Sequence, residues 1–171
     1  MKIPLRDRAG QVVAHALIDA KDASSIACFR WHLDDGYAVR TDYSKGKRKI
    51  SMARQILGLA PGDKRQADHR NRVRLDNRRS NLRIVTHGEN MQNMPPRRRC
   101  SSAHRGVSWN REMGRWAAYA KVNGRQVWLG YYEDELRAAA VASDFRAKHM
   151  PFSEDRNQQL TEERERNGDT K

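Results

Sequence analysis

Residues 67–93 read ADHRNRVRLDNRRSNLRIVTHGENMQN, and four of their side chains could do chemistry together: Asp68, His69, Asn81 and Asn90. A carboxylate and an amide carbonyl are hard oxygen donors of the kind Mg²⁺ accepts, with coordination positions left for water and a substrate phosphate. An imidazole of ordinary pKa, ~6.5, takes a proton from an attacking water near neutrality. Arginines crowd the same stretch, and a guanidinium grips phosphate oxygens in pairs. These are the parts needed to hydrolyse a phosphodiester. A lone Asp-His pair carries little weight, and LDNRRSN by itself could be a polar turn. The ordered set is what argues for a site.

Such a set needs elements to hold it. The stretch predicts a strand ending near Asp68-His69, an Arg/Asn-rich loop, a strand over 82–86 and a short helix. Thr86 with Glu89 makes a capping box at the helix start, and Pro95-Pro96 stops the helix. Asn90 then lies in the first turns, able to face back toward the hairpin. Adjacent strand residues point to opposite faces, so Asp68 and His69 can serve one phosphate only if the strand ends or bulges there.

In order and spacing, RQADHRNRVRLDNRRSNLRIVTHGENMQN resembles the HNH nucleases of the ββα-metal fold, in particular the homing endonucleases of phage and introns. The resemblance implies Asp68 and Asn90 as metal ligands and His69 as general base. It implies Asn81 as the amide that orients His69 or the scissile phosphate. Mg²⁺ is the implied cofactor, with Mn²⁺ as a substitute. Asn71, Asp76, Asn77 and Arg78 match the family's loop and imply a structural part there; Asn93 also matches, with no metal contact expected. Two positions depart from the pattern. Ala53, in MARQILG, stands where the family usually has histidine, and a methyl group cannot replace a hydrogen-bonding imidazole. Arg72 stands where glycine is common, which leaves the course of that loop open.

Charge agrees with a polyanionic partner. Lys+Arg number 34 against 21 Asp+Glu, a formal net charge of +13. The tail 153–171 is acidic on balance, so the excess lies in residues 1–152, where its field attracts nucleic acid and makes binding fall with salt. A basic ribosomal or RNA-packaging protein would show the same balance. Mean hydropathy of −0.98, with 37% hydrophobic residues, points to small modules rather than one large core. The two cysteines, Cys28 and Cys100, form no CxxC pair, so a structural zinc site is unsupported. The start MKIPLRDRAG lacks the apolar run of a signal peptide, and no stretch of ~18 apolar residues occurs. A soluble, cytoplasmic protein without membrane contact is expected, as a monomer, with a dimer left open.

The expected fold class is α+β. An α/β lead-in over 1–49 holds QVVAHALID and GYAVRT as strands, a short helix capped by Asp22 and running to residue 30, and a basic turn at SKGKRK. His15 and His32 fall there without metal-ligand spacing. The nuclease core follows over 50–94, then a basic linker over 95–102 whose Arg97, Arg98 and Arg99 either track a phosphate backbone or are incidental. Residues 103–152 show three strand-like runs, RGVSWN, RWAAYAKV and RQVWLGYY, the last two joined by Asn123-Gly124, a hairpin signal. Asp134 then caps a helix, ELRAAAVASDFRAKHM. Trp116, Ala118, Ala120 and Val122 share one strand face; Arg115, Ala117, Tyr119 and Lys121 share the other. The alanine face around Ala139, Ala140 and Ala147 would let the helix lie close. The tail 153–171 is expected to be disordered or a loose helix.

HRGVSW, GRWAAYAKV, WLGYY and AAVASD make this second module resemble the plant ethylene-response-factor (Apetala-two) DNA-binding domain over about fifty residues. The resemblance implies a three-stranded sheet laid in the major groove, with Arg105, Arg115, Tyr119, Lys121, Gln126 and Trp128 as DNA contacts, beside Arg78 and Arg79 of the nuclease loop. Ser108 and Ser143 depart from the plant pattern, so base preference does not transfer. Trp109 and Trp116 read as packing; Trp128 reads equally as packing or contact. The expected function is a Mg²⁺-dependent endonuclease acting on double-stranded DNA. The alternative is a non-catalytic, sequence-preferring DNA-binding regulator with a degenerate nuclease half, of which Ala53 would be the first sign.

Overall fold

The computed structural model describes residues 1–44, 46–94, 101–122 and 124–154. Expectations for Pro95-Pro96, Arg97–Arg99, Cys100, Asn123 and the tail beyond 154 fall outside those residues. Among the described residues the fold is mixed α/β, with short antiparallel strands in four small sheets and few helices. No helix of the described residues is long and apolar enough to cross a membrane. The chain divides into two compact units, Met1–Asn90 and Met91–Lys171.

In the first unit, β1 (Lys2–Arg6) and β2 (Val12–Leu17) form a hairpin. Ile3 and Leu5 alternate inward from β1 and Ala16 joins them from β2, all buried. A short helix α1 (Ala23–Ile26) leads to a sheet of β3 (His32–Asp34), β4 (Tyr37–Asp42) and β5 (Arg48–Ser51). Helix α2 (Met52–Ile56) buries Met52, Ala53 and Ile56. The hairpin β6 (Gln66–His69) and β7 (Leu82–Val85) precedes α3 (His87–Gln92).

No break in the fold falls at residue 49. Ile3, Leu5, Ile26, Trp31 and Ala38 share one hydrophobic cluster with Met52, Ala53, Ile56 and Leu82. Trp31 is 1% exposed, and its indole N–H donates to the Ile26 carbonyl at 2.7 Å. The segment expected as a lead-in therefore forms part of the core on which the nuclease-like hairpin packs, because four short elements after residue 50 carry too little apolar surface alone. Ala53, 2% exposed, fills a place in that core.

The expected helix from Asp22 is shorter and differently held. It ends at Ile26, and Asp22 makes no side-chain cap hydrogen bond. Its carboxylate, 5% exposed, is taken instead by the Arg79 guanidinium, with the Arg79 NH2 group at 2.8 Å.

The second unit has β8 (Val107–Asn110), β9 (Arg115–Val122) and β10 (Arg125–Tyr132) in the order β10-β9-β8, with α4 (Glu135–His149) against them. Asp134 caps α4 by accepting the Arg137 N–H at 2.7 Å, as the sequence predicts. Val107, Ala118, Ala138 and Ala142 make the core, with Trp116 and Leu129 packed on it. The helix stripe on that core is thus Ala138 and Ala142, four residues apart as the helical period requires, while Ala147 is buried off that stripe and Ala140 is exposed. Gly106 allows the closest approach: a Cβ there would lie 2.2 Å from the Tyr119 carbonyl oxygen.

Candidate active site

Antiparallel pairing sets Asp68 opposite Arg83 and His69 opposite Leu82, with no register shift along the hairpin. Asp68 and Arg83 consequently project from one face and meet. Arg83 Nε and NH2 each lie 2.7 Å from Asp68 Oδ2, and both side chains are nine-tenths buried. Gln66, two residues before Asp68, shares that face. Its amide oxygen accepts from Asn90 Nδ2 at 2.6 Å, so α3 delivers Asn90 to the Asp68 side of the hairpin. The capping box that starts α3 forms as read: Thr86 N–H donates to Glu89 Oε2 at 2.6 Å and Glu89 N–H to Thr86 Oγ1 at 3.3 Å.

His69 ends β6, and the chain turns immediately after it, with Arg72 N–H donating to the His69 carbonyl at 3.0 Å. The expected strand end is present without a bulge, and His69, still paired with Leu82, leaves the ladder on the face opposite Asp68. The imidazole is 6% exposed, and its Nε2 lies 3.2 Å from Asn77 Oδ1. With a carbonyl oxygen as acceptor, Nε2 carries the proton, which puts the ring lone pair on Nδ1. Burial pushes the imidazole below its ordinary pKa, against the upward pull of the Asn77 hydrogen bond and the Asp68 charge, which favours the neutral ring.

Asn81 is placed differently from the expectation. Its Oδ1 accepts the Asn71 N–H at 3.0 Å and its Nδ2 donates to the Asp76 carbonyl at 2.7 Å. It ties the ends of loop 70–81 together, and the amide against the His69 ring belongs to Asn77. Asn77 is 1% exposed and its Nδ2 is buried without a partner among the described residues. An unpaired buried amide costs about 1–3 kcal/mol, so this side chain is not there for stability alone. Sequence order gave no signal for that role, whereas the Asp68–Arg83 pair follows from hairpin register once the strands are aligned.

The same loop uses the arginines expected on DNA. Arg78 NH2 meets Asp76 Oδ2 at 2.7 Å, and its hydrogen bonds hold the Asp76 carboxyl below the usual range. Arg79 pairs with Asp22. Both guanidiniums are therefore neutralised by buried carboxylates and act first as braces. Arg72 adopts φ 59°, the left-handed region that glycine enters freely, which explains why glycine suits this turn.

Asp68 and Asn90 supply one carboxylate and one amide carbonyl on the same face, oxygen donors that fit a hard divalent cation. Asn90 donates a side-chain N–H to Gln66. A cation at Asp68 would share that carboxylate with Arg83. Among the described residues no cluster of three or more His, Cys, Asp or Glu side chains is placed to hold a metal.

In the second unit, Trp128 pairs with Tyr119 and Gln126 with Lys121 across β9 and β10. With Arg115 they lie on the face away from α4. Trp128 is 51% exposed and stacks edge-on with Tyr131 at 4.6 Å, so it belongs to the open face. Trp116 packs on the core, and Trp109 leans on it at 5.1 Å. Arg115 is loosely paired with Glu133 at 3.4 Å. Arg105 leaves the set: its guanidinium donates to the Met91 and Gln92 carbonyls, because it precedes β8 and does not share the strand alternation.

Residues 51–92 match a family model described as HNH endonuclease. The match contains the residues from Asp68 to Asn90 but neither Asp22 nor the second unit's open face, and it supports a nuclease whose substrate is DNA. Neither the curated proteins nor the solved structures gave a match to the chain.

Proposed function

We propose that this chain is a metal-dependent endonuclease of the HNH homing type that hydrolyses phosphodiester bonds in duplex DNA. In this reading β6, β7 and α3 are the ββα-metal motif, and residues 103–152 are a DNA-binding module of the ethylene-response-factor kind. The observation that carries it is the placement around β6: Asp68 and Asn90 share one side, and a buried His69 stands at the strand end with Asn77 on its Nε2.

His69 accepts at Nδ1 the proton of the water that attacks phosphorus, while Asn77 keeps the other nitrogen protonated. Asp68 and Asn90 would hold Mg²⁺, or Mn²⁺ in its place, which when bound offsets charge on the phosphate and on the leaving oxygen. Arg83 keeps the Asp68 carboxylate aimed. Arg70, exposed on the loop, meets a flanking phosphate. The open face of Arg115, Tyr119, Lys121, Gln126 and Trp128 adds affinity and contacts to base edges. A monomeric, cytoplasmic enzyme is the form proposed.

The test is supercoiled plasmid incubated with the full chain. Relaxation or linearisation in Mg²⁺ and protection in EDTA support the proposal. Tight binding with no cutting in Mg²⁺ or Mn²⁺ would replace it with the non-catalytic regulator.

A further inference from the structure

One wall beside His69 comes from outside residues 51–92. Strands β3 and β4 are joined through Asp35 and Gly36, with φ of 47° and 77°, the pair of positive φ angles that a tight hairpin requires. That turn reaches the nuclease loop. The Asp35 carbonyl accepts from Arg74 NH1 at 2.6 Å, and a Cβ on Gly36 would touch the Arg74 side chain at 3.4 Å. Tyr37, the first residue after the turn, sets its ring 6.1 Å from the His69 ring, centroid to centroid, with planes at 47°. The Arg74 guanidinium lies 4.6 Å from the Tyr37 centroid.

We infer that Tyr37 is a positioning residue for His69, supplied by the β3–β4 hairpin and locked by Arg74; the inference rests on His69 being the proton acceptor of the proposed nuclease. The Asn77 hydrogen bond fixes one edge of the imidazole, and the Tyr37 ring, with only two side-chain torsions, stands beside it and limits pivoting. The ring of Tyr37 is itself fixed by the guanidinium beside it, a cation–π contact, and Arg74 is fixed by the Asp35 carbonyl. Pivoting would move Nδ1 off the line of the attacking water, and misplacement of about 1 Å costs on the order of 10²-fold in rate. The Tyr37 hydroxyl makes no hydrogen bond among the described residues, so the ring is the part that matters.

The experiment compares Tyr37→Phe and Tyr37→Ala, in the full chain, with His69 intact and with His69→Ala, on plasmid DNA in Mg²⁺. Tyr37→Phe should cut as wild type does. Tyr37→Ala should lose about 10–100-fold in kcat, with KM and DNA affinity unchanged, and should lose nothing further in the His69→Ala background, because it acts through the imidazole. In metal-free protein, the ring-current shift of the His69 protons should disappear in Tyr37→Ala. Wild-type cutting by Tyr37→Ala overturns the inference, as does an equal loss in both backgrounds, which would mark a merely structural tyrosine. A wild-type chain that cuts nothing instead overturns the nuclease reading on which the inference stands.

Discussion

Asn77 and Asn81 are two amides of one loop with separate tasks. Asn81 bonds backbone on both sides of the loop, whereas Asn77 faces the His69 ring and leaves its Nδ2 unpaired. Substituting Asn77 by leucine should cost only about 1–3 kcal/mol, since an unpaired buried amide N–H is removed while the buried His69 N–H loses its Asn77 acceptor. Cleavage should nevertheless fall about 10–100-fold, the usual effect of losing a partner that orients a reacting group; chemical denaturation and single-turnover cleavage measure the two. His69→Ala removes the proton acceptor, and a loss of ~10²–10⁴ in rate is expected with little change in metal affinity by calorimetry. Asp68→Ala should abolish cleavage and leave plasmid binding in a gel shift. That variant also leaves Arg83 buried without its carboxylate, so its stability should drop by about 3–5 kcal/mol. Asp68→Asn, which keeps hydrogen-bond acceptance, separates the two effects.

At the scale of elements, loop 70–81 is braced rather than merely long. Asp76, 3% exposed, accepts from Asn71 and Arg78, and Arg78 holds its carboxyl below the usual range. The folded carboxyl titrates below the unfolded value of ~3.9. Its contribution is therefore complete above that value and disappears as pH falls through the depressed one. Asp76→Asn should cost about 1–3 kcal/mol at pH 7 and flatten the acid side of the stability curve, read by denaturant melts from pH 7 down to pH 3. In the same loop, Arg72→Gly should raise stability by about 0.5–1 kcal/mol by relieving a left-handed backbone. The second unit has its own sensitive point. Gly106→Ala would set a methyl group against the Tyr119 carbonyl, and should unfold that sheet, as near-ultraviolet circular dichroism would report.

The whole molecule consists of two units, each with a core of its own. That predicts a division of tasks. Residues 1–94 should cut DNA slowly in Mg²⁺ at low salt, with little preference for sequence. Residues 95–171 should bind duplex DNA and cut nothing. Because Arg78, Arg79 and Arg83 are neutralised within the first unit, fewer phosphate contacts hold DNA there, and affinity of the 1–94 fragment should be weak even at low salt. Gel shifts and nicking assays across a salt series decide this. Cutting by the second fragment would misplace the active site.

Sequence alone determined the local pieces. The capping box, the hairpin flanking an Asn-rich loop and the helix start at Asp134 rest on contacts within a few residues, and short-range spacing encodes these directly. The alternation of β9 likewise separated a core face from an open one before any packing was known. Long-range partners were another matter. That Asp22 would serve Arg79, that Asn77 would reach His69, and that Tyr37 would stand beside it depend on how two sheets and a loop dock. Nothing in residue order specifies that docking. The same holds for the shared core: Trp31 and Ala38 join Met52 and Leu82 only because short elements with one apolar stripe each must bury those stripes against one another. Spacing named the reacting groups, and tertiary packing decided which neighbours hold them.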